Sequence, residues 1–220
     1  MMHYHATPED HAVLEKKGFL LVDSGATYMD GTTDITRTYP LGPLTEDERK
    51  FYTWTLQSHI DLAKAVWLDY CECKMIDTIA REPLWRHLIN YRCGTGHSVS
   101  FVGNVHEGPH SLRGTNSVLM RPGMVVTDEP GVYETDLVGI RIENELVCVH
   151  KADNQYGTFL GFEPLMFVPI ATSPILPGVL DKDEIAWLND YHRQVFAKLA
   201  PHLNDEERSW LAEKCAAIGC

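Results

Sequence analysis

LLVDSGATYMDGTTDITRTY, residues 20–39, is the stretch whose reading decides the fold. Leu21 and Val22 lead into Asp23, and Asp34 opens DITRTY, a run rich in β-branched residues. Gly25, Asp30 and Gly31 lie between them and are turn formers. The pattern predicts two strands joined by a short connection, each delivering one carboxylate. Beside Gly31, Asp30 reads as a turn residue. Asp23 and Asp34 do not, because an aspartate in an apolar strand-forming run is costly to bury unless it is paired or bound to a metal. Two such carboxylates facing each other repel, and a shared cation is the usual remedy.

Composition narrows the class. The 220 residues are 44% hydrophobic and 23% charged, which fits one globular domain over residues 1–220 with a substantial core. A net charge of −12 argues against nucleic acid and against anionic membrane surfaces as partners. Of the six cysteines (71, 73, 93, 148, 215 and 220) none forms a C-x-x-C pair, so a zinc knuckle is not expected and reduced thiols in the cytoplasm are. MMHYHATPEDH lacks a basic region followed by an apolar run, so a signal peptide is not expected, nor is a membrane span.

Strands dominate the middle and helices are interleaved and terminal, which predicts an α+β domain. Residues 18–40 read as strand. Thr45 and Glu48 form a capping box for a helix that Phe51, Trp54, Ile60, Ala63 and Val66 carry to about residue 67. A second helix is expected over 75–81, with Pro83 limiting its continuation. CGTGHSVSFVGNVHEGP (93–109) reads as a strand between tight turns. Residues 124–128 form a buried strand that ends at Glu129-Pro130-Gly131. Strands are also expected at 139–149 and 162–171. Asp181 caps a helix, and a last helix spans 205–217 with Trp210 and Leu211 inward.

Four further positions join the opening aspartates: His97, His106, Glu129 and Glu143. His97 sits in a glycine-rich turn, Glu129 on a rigid Pro-Gly corner, and Glu143 two residues from Arg141, so that both point the same way along a strand. Each signal alone is weak: a histidine in such a turn is more often a hydrogen-bonded structural residue, and an Arg-x-Glu pair a solvated face. Together, four carboxylates and one or two imidazoles make an oxygen-rich cage suited to Mn²⁺, Co²⁺ or Zn²⁺. Two divalent ions would neutralise four carboxylates and lower the pKa of a bridging water.

Asp23, Asp34, His97, Glu129 and Glu143, in order and spacing, together with VVTDEPGVYE and GIRIENELV, resemble the five-ligand set of the pita-bread metallopeptidases. GTTDITRT, GNVHEGP, FLGFEPLMFVPI and DEIAWLNDYHRQV are closest to the catalytic domain of three-domain Xaa-Pro aminopeptidases. The resemblance implies a curved, mostly antiparallel sheet with flanking helices, two divalent ions with manganese foremost, and hydrolysis of the N-terminal Xaa-Pro bond by a metal-bridging hydroxide. By the same resemblance Asp23 binds one metal, Asp34 and Glu143 bridge both, and His97 and Glu129 complete the second, Glu129 also carrying the proton. His3 and Tyr133 line the substrate pocket, His106 steadies the developing oxyanion, and Arg141 stands beside the bridging glutamate. The implied substrates are peptides with proline in the second position, and a homodimer is open. Because family members carry domains and part of the catalytic fold ahead of the position of His3, an N-terminally truncated catalytic module is expected. An Xaa-Pro dipeptidase and a catalytically inactive scaffold are the alternatives.

Overall fold

The computed structural model describes residues 6–219. The opening stretch forms an antiparallel hairpin of β1 (Phe19–Tyr28) and β2 (Gly31–Pro40), with Asp23 opposite Thr36 and Gly25 opposite Asp34. Cross-strand partners share a face, and so do residues two apart, so Asp23, Asp34 and Thr36 present their side chains on one side of the hairpin.

Helix α1 (Glu46–Ala63) follows, and both halves of the Thr45–Glu48 capping box are made. It ends earlier than the apolar spacing predicts. Val66 leaves the helix for β3 (Val66–Leu68) and is more than half exposed. Ala65 and Trp67 carry the burial there instead, an alternation of two that a helical count of apolar residues overlooks. Helix α2 (Cys73–Trp85) is longer than expected and runs through Pro83, which falls in its last turn, where few hydrogen bonds remain to be broken.

Six strands make an antiparallel sheet in the order β3–β10–β9–β6–β4–β5: β4 (Gly96–Ser98), β5 (Glu107–Leu112), β6 (Val125–Asp128), β9 (Asn144–Asn154) and β10 (Gly157–Pro164) join β3. A separate ribbon pairs β7 (Gly131–Glu134) with β8 (Val138–Arg141). The single strand expected over 139–149 is therefore two, broken at Ile142-Glu143. Arg141, Glu143 and Glu145 are buried along with Ile140 and Ile142, so this face is lined, not solvated. The strand expected over 162–171 begins earlier and stops at Pro164.

Helix α3 (Lys182–Leu199) is capped by Asp181 and Glu184, and α4 (Asp205–Lys214) closes the described chain. On α4 Leu211 is buried, but Trp210 lies outside with the Lys214 ammonium over its ring. Among the described residues three apolar clusters form, and the two largest do most of the packing. Leu62, Trp67, Ile76, Ala80, Val126, Leu146 and Phe162 fill the space between α2 and the six-stranded sheet. Tyr52, Leu56, Ile60, Ile140, Leu188, Tyr191 and Val195 pack α1 and α3 onto β8. Burying each large aliphatic side chain contributes about 1.5–3 kcal/mol. Helix α1 serves both cores and lies directly behind the strands that carry the acidic residues.

His192 on α3 tests this packing. It is fully buried, and its Nε2 accepts the Ile170 N–H at 3.1 Å. Burial first, and the Arg37 cation second, push its imidazole down to about 4. The unfolded chain takes up this proton at about pH 6.5, so the stability is present above that pH and is lost as pH falls through about 4. His192→Gln keeps an acceptor for Ile170 without the titration. Urea unfolding at both ends of the window should show the variant gaining about 2–3 kcal/mol on the parent between pH 7 and pH 4; parallel pH curves would refute the assignment.

Candidate metal centre

Thr36 organises one half of the site. Its hydroxyl donates to Glu143 Oε2 at 2.6 Å and accepts from Arg141 Nε at 2.9 Å. The Glu143 backbone N–H in turn donates to the Thr36 carbonyl at 3.0 Å, which pins the break between β8 and β9 against β2. Asp34 and Glu143 are both buried, at 8% and 1% exposure, whereas Asp23 stands at the open edge.

Thr127 organises the other half. It accepts the His97 N–H at 3.0 Å and donates to Glu129 Oε1 at 3.3 Å, while the Glu129 N–H donates to the Thr95 carbonyl at 2.7 Å. The strands can approach this closely because of Gly96: a Cβ there would stand 1.8 Å from the Thr127 carbonyl oxygen. His97 Nδ1 lies 3.1 Å from the Ser98 carbonyl, which as an acceptor requires the N–H on Nδ1. That leaves Nε2 facing Asp34 Oδ2 at 3.5 Å and Glu129 Oε1 at 3.3 Å. The exposed His106 ring lies over His97 with centroids 3.8 Å apart.

Arg141 closes the ring of charge. Besides Thr36, it donates to Tyr133 Oη at 2.6 Å and to Asp23 Oδ2 at 2.5 Å, and its Nε is 3.8 Å from Glu129 Oε2. Tyr133 reaches it across Gly131, where a Cβ would come within 2.7 Å of the phenol oxygen. A cavity of about 790 Å³ opens above this floor, with Asp23, His97, His106, Glu129, Tyr133 and Arg141 in its walls.

Electrostatics and geometry fit divalent cations. Asp34, His97 and His106, then His97, Glu129 and Glu143, then Asp23, Asp34 and Glu143 each bring ligand atoms within 4.8 Å of one another. Burial, with Asp34 nearby, pushes Glu129 up to about 7 against the pull of His97 and Arg141. Glu143 is raised well above the usual carboxylate range by burial and by the charges of Glu129 and Asp34. His97 is burdened by burial, but its bond to Asp34 and the Ser98 carbonyl raise it overall. His106 is lowered by burial and by the His97 cation. Hard oxygen donors with imidazole, and more negative charge than the metal-free protein can hold ionised, are the donor set of a divalent site.

The structure thus brings together Asp23, Asp34, His97, His106, Glu129, Tyr133, Arg141 and Glu143. His3 lies outside the described residues. Thr36 and Thr127 escape the reading of the sequence. Thr36 had a signal, since it stands two residues after Asp34 on the same strand face; Thr127 had the same relation to Glu129.

Known proteins agree with the class that this floor points to, a carboxylate-rich centre suited to divalent metal ions. Residues 1–150 match metallopeptidase family M24, and residues 158–218 match the C-terminal region of peptidase M24. The chain belongs to metallopeptidase family M24. It is 39% identical over 226 residues to a probable Xaa-Pro aminopeptidase P of Coprinopsis cinerea, covering 99% of this chain and 36% of that protein. It is 42% identical over 218 residues to aminopeptidase P2 of Arabidopsis thaliana, covering 96% and 31%. Among solved structures, X-prolyl aminopeptidase from Caenorhabditis elegans, described as a cytosolic enzyme with a di-nuclear active site, superposes with a TM-score of 0.84 at 39% identity, over 90% of this chain and 33% of that one. Prolidase from Pyrococcus furiosus gives 0.58 at 29% identity, over 68% and 41%. The α+β pita-bread fold is shared with these enzymes, and the chain spans about a third of the length of its curated relatives.

Charge repulsion in this floor gives a sign-inverting test. The raised folded pKa of Glu129 means that its contribution to metal-free stability is present below about pH 4.5 and is lost as pH rises through about 7, and Glu143, also raised well above the usual carboxylate range, acts in the same direction. At about pH 8 the metal-free Glu143→Gln variant should therefore be more stable than the parent, by about 1–2 kcal/mol. Added Mn²⁺ should reverse the order, raising the parent's thermal midpoint and leaving the variant's near its metal-free value. Equal responses to the metal would remove Glu143 from the site.

Proposed function

We propose that residues 1–220 form a metallopeptidase catalytic domain that removes the N-terminal residue from peptides with proline in the second position. The observation that carries the reading is the convergence of Asp23, Asp34, His97, Glu129 and Glu143 on one cavity floor. Identities near 40% to proteins named Xaa-Pro aminopeptidase P or aminopeptidase P support the substrate class. In this reading Asp23, Asp34, His97, Glu129 and Glu143 would hold the two ions, Asp23 serving one, His97 and Glu129 the other, and Asp34 and Glu143 contributing to both. Manganese suits the oxygen-rich set best, with cobalt and zinc as alternatives. When bound, two such ions would generate a nucleophile from water at neutral pH and polarise the scissile carbonyl.

The chain's own residues supply the rest. Glu129 is partly open to the cavity, so its carboxylate can take a proton from the attacking water and return it to the leaving nitrogen. His106, held against His97 at the cavity wall, can donate to the oxygen that gains charge. Arg141 fixes Asp23 and Tyr133, and so shapes the wall where the substrate enters. The proline nitrogen that departs carries no N–H, and its ring restricts φ, so the bond suits a dedicated site. His3 is assigned to the pocket by sequence resemblance alone. The five described cysteines are free, and no helix among the described residues is long and apolar enough to cross a membrane. A cytoplasmic setting accords with both, and with the description of the Caenorhabditis elegans enzyme as cytosolic.

The purified chain, loaded with Mn²⁺, is offered an Xaa-Pro-Yaa tripeptide and an Xaa-Pro dipeptide. Release of the N-terminal residue from the tripeptide is expected, and Glu129→Gln should lower kcat by about 10²-fold or more. Cleavage of the dipeptide only would favour the Xaa-Pro dipeptidase. An uncut tripeptide with Glu129→Gln behaving the same would leave the scaffold reading.

A further inference from the structure

Behind the metal-facing side of the sheet runs a buried polar chain that the proposed reaction does not use. Asp128 and Asn144 are cross-strand partners on β6 and β9, and neither is exposed at all. Asp128 immediately precedes Glu129, and Asn144 immediately follows Glu143. Successive strand residues face opposite ways, so while the glutamates face the cavity, their neighbours face helix α1. There the fully buried His59 meets both: its Nδ1 is 3.1 Å from Asp128 Oδ2, and its Nε2 is 3.3 Å from Asn144 Nδ2. The Trp187 ring stands edge-on to the imidazole and walls off this space.

The direction of every link is fixed by donor and acceptor chemistry. Arg37 can only donate, and its NH2 reaches Asn144 Oδ1 at 2.8 Å. The amide nitrogen of Asn144 must then face His59 and donate to Nε2. That places the imidazole hydrogen on Nδ1, where it donates to the Asp128 backbone carbonyl at 3.3 Å, with the carboxylate Oδ2 lying 3.1 Å from the same nitrogen. Arg37 continues the chain forward: its NH1 donates to the Thr36 carbonyl at 2.9 Å and to the Glu143 carbonyl at 2.5 Å. Its remaining donors end on Val168, Pro169 and Tyr191. One connected path therefore ties the backbone beside Asp34, Glu143 and Glu129 together from the rear.

A buried cation and a buried carboxylate joined only through two neutral side chains are an expensive way to hold a core. Apolar residues of the same volume would pack at lower cost. What the arrangement offers is position: both Asp128 and Asn144 adjoin carboxylates that repel each other, and a metal site tolerates only about 0.5 Å of error in its ligands.

We infer that His59 is a positioning residue for the metal centre, acting through Asp128 and Asn144 to hold Glu129 and Glu143 at ligand distance. This rests on the metal-binding reading of the site. The test is made on the purified chain and needs no turnover. Mn²⁺ affinity is measured by titration calorimetry, and the ligand geometry by the visible absorption of the Co²⁺-loaded protein. His59→Phe removes both bonds and should weaken Mn²⁺ binding about tenfold or more and shift the cobalt bands. His59→Asn returns an amide N–H to the Nδ1 position and should recover most of the affinity. Asn144→Ala cuts the chain from the other side and should behave as His59→Phe does; with His59→Asn it carries the comparison if the phenylalanine variant does not fold. Unchanged Mn²⁺ affinity and cobalt bands in a folded His59→Phe or Asn144→Ala protein overturn the inference, even where the thermal midpoint falls. A parent chain that takes up no Mn²⁺ overturns the metal reading itself, and this inference with it.

Discussion

Mutual repulsion among Asp23, Asp34, Glu129 and Glu143 is the constraint around which the rest of the structure is arranged. Two carboxylates about 4 Å apart at an effective dielectric constant of about 20 repel by roughly 4 kcal/mol. A folded domain has only about 5–15 kcal/mol in reserve. Several such pairs cannot all be ionised and left uncompensated. The protein meets this with Arg141 between Asp23 and Glu129, with His97 between Asp34 and Glu129, and with the Thr36 hydroxyl on Glu143. Even so, Glu129 is pushed up to about 7. Protons are one answer to the residual charge, and divalent cations would be the other, so the proposed metal binding and the shifted acidities share one origin.

The proposed ligands come from five separate places in the chain, and the fold makes those places rigid before it makes them close. Glu143 lies at the break between β8 and β9, held by its own N–H to Thr36 and by its carbonyl to Arg37. Glu129 stands just past β6, held by its N–H to Thr95. Thr95 is itself anchored, since its hydroxyl bonds to Asp77 on α2 and to Tyr91. Backbone hydrogen bonds from three directions thus fix the main chain, and the side chains need only short rotamer choices to converge. Helix α1 presses its polar stripe, His59 included, onto the rear of the same strands, while its apolar residues serve both cores.

What the sequence made legible was short-range. Asp23 and Asp34 could be placed on paired strands because turn residues separate two β-branched runs, and the helix caps at Thr45 and Asp181 follow a local pattern of hydrogen bonds. What stayed hidden depends on partners far along the chain. His59 is 69 residues from Asp128 and 85 from Asn144, so nothing near it in sequence distinguishes it from an ordinary helix histidine. Arg37 likewise depends on Val168 and Tyr191, which accept its hydrogen bonds from more than a hundred residues away. Trp210 failed for the opposite reason: its bulk suggested a core position, but neighbouring Leu211 already fills the contact and leaves the indole to Lys214.

Burial across the site is graded, and the gradient has a functional direction. Glu143 and Asp34 lie at the floor, His97 and Glu129 are partly open, and Asp23 and His106 stand at the exposed rim. Groups that hold charge benefit from a dry floor, where each interaction is stronger. Groups that must meet an incoming peptide have to remain reachable. Arg141 spans the two zones, with its stem enclosed and its guanidinium reaching Thr36 at the floor and Asp23 at the rim. A peptide approaching from the rim would therefore meet Asp23, Tyr133 and His106 before it reached the buried carboxylates. In the proposed reaction Glu129, which would carry the proton, lies one layer deeper than the rim that a peptide would reach first.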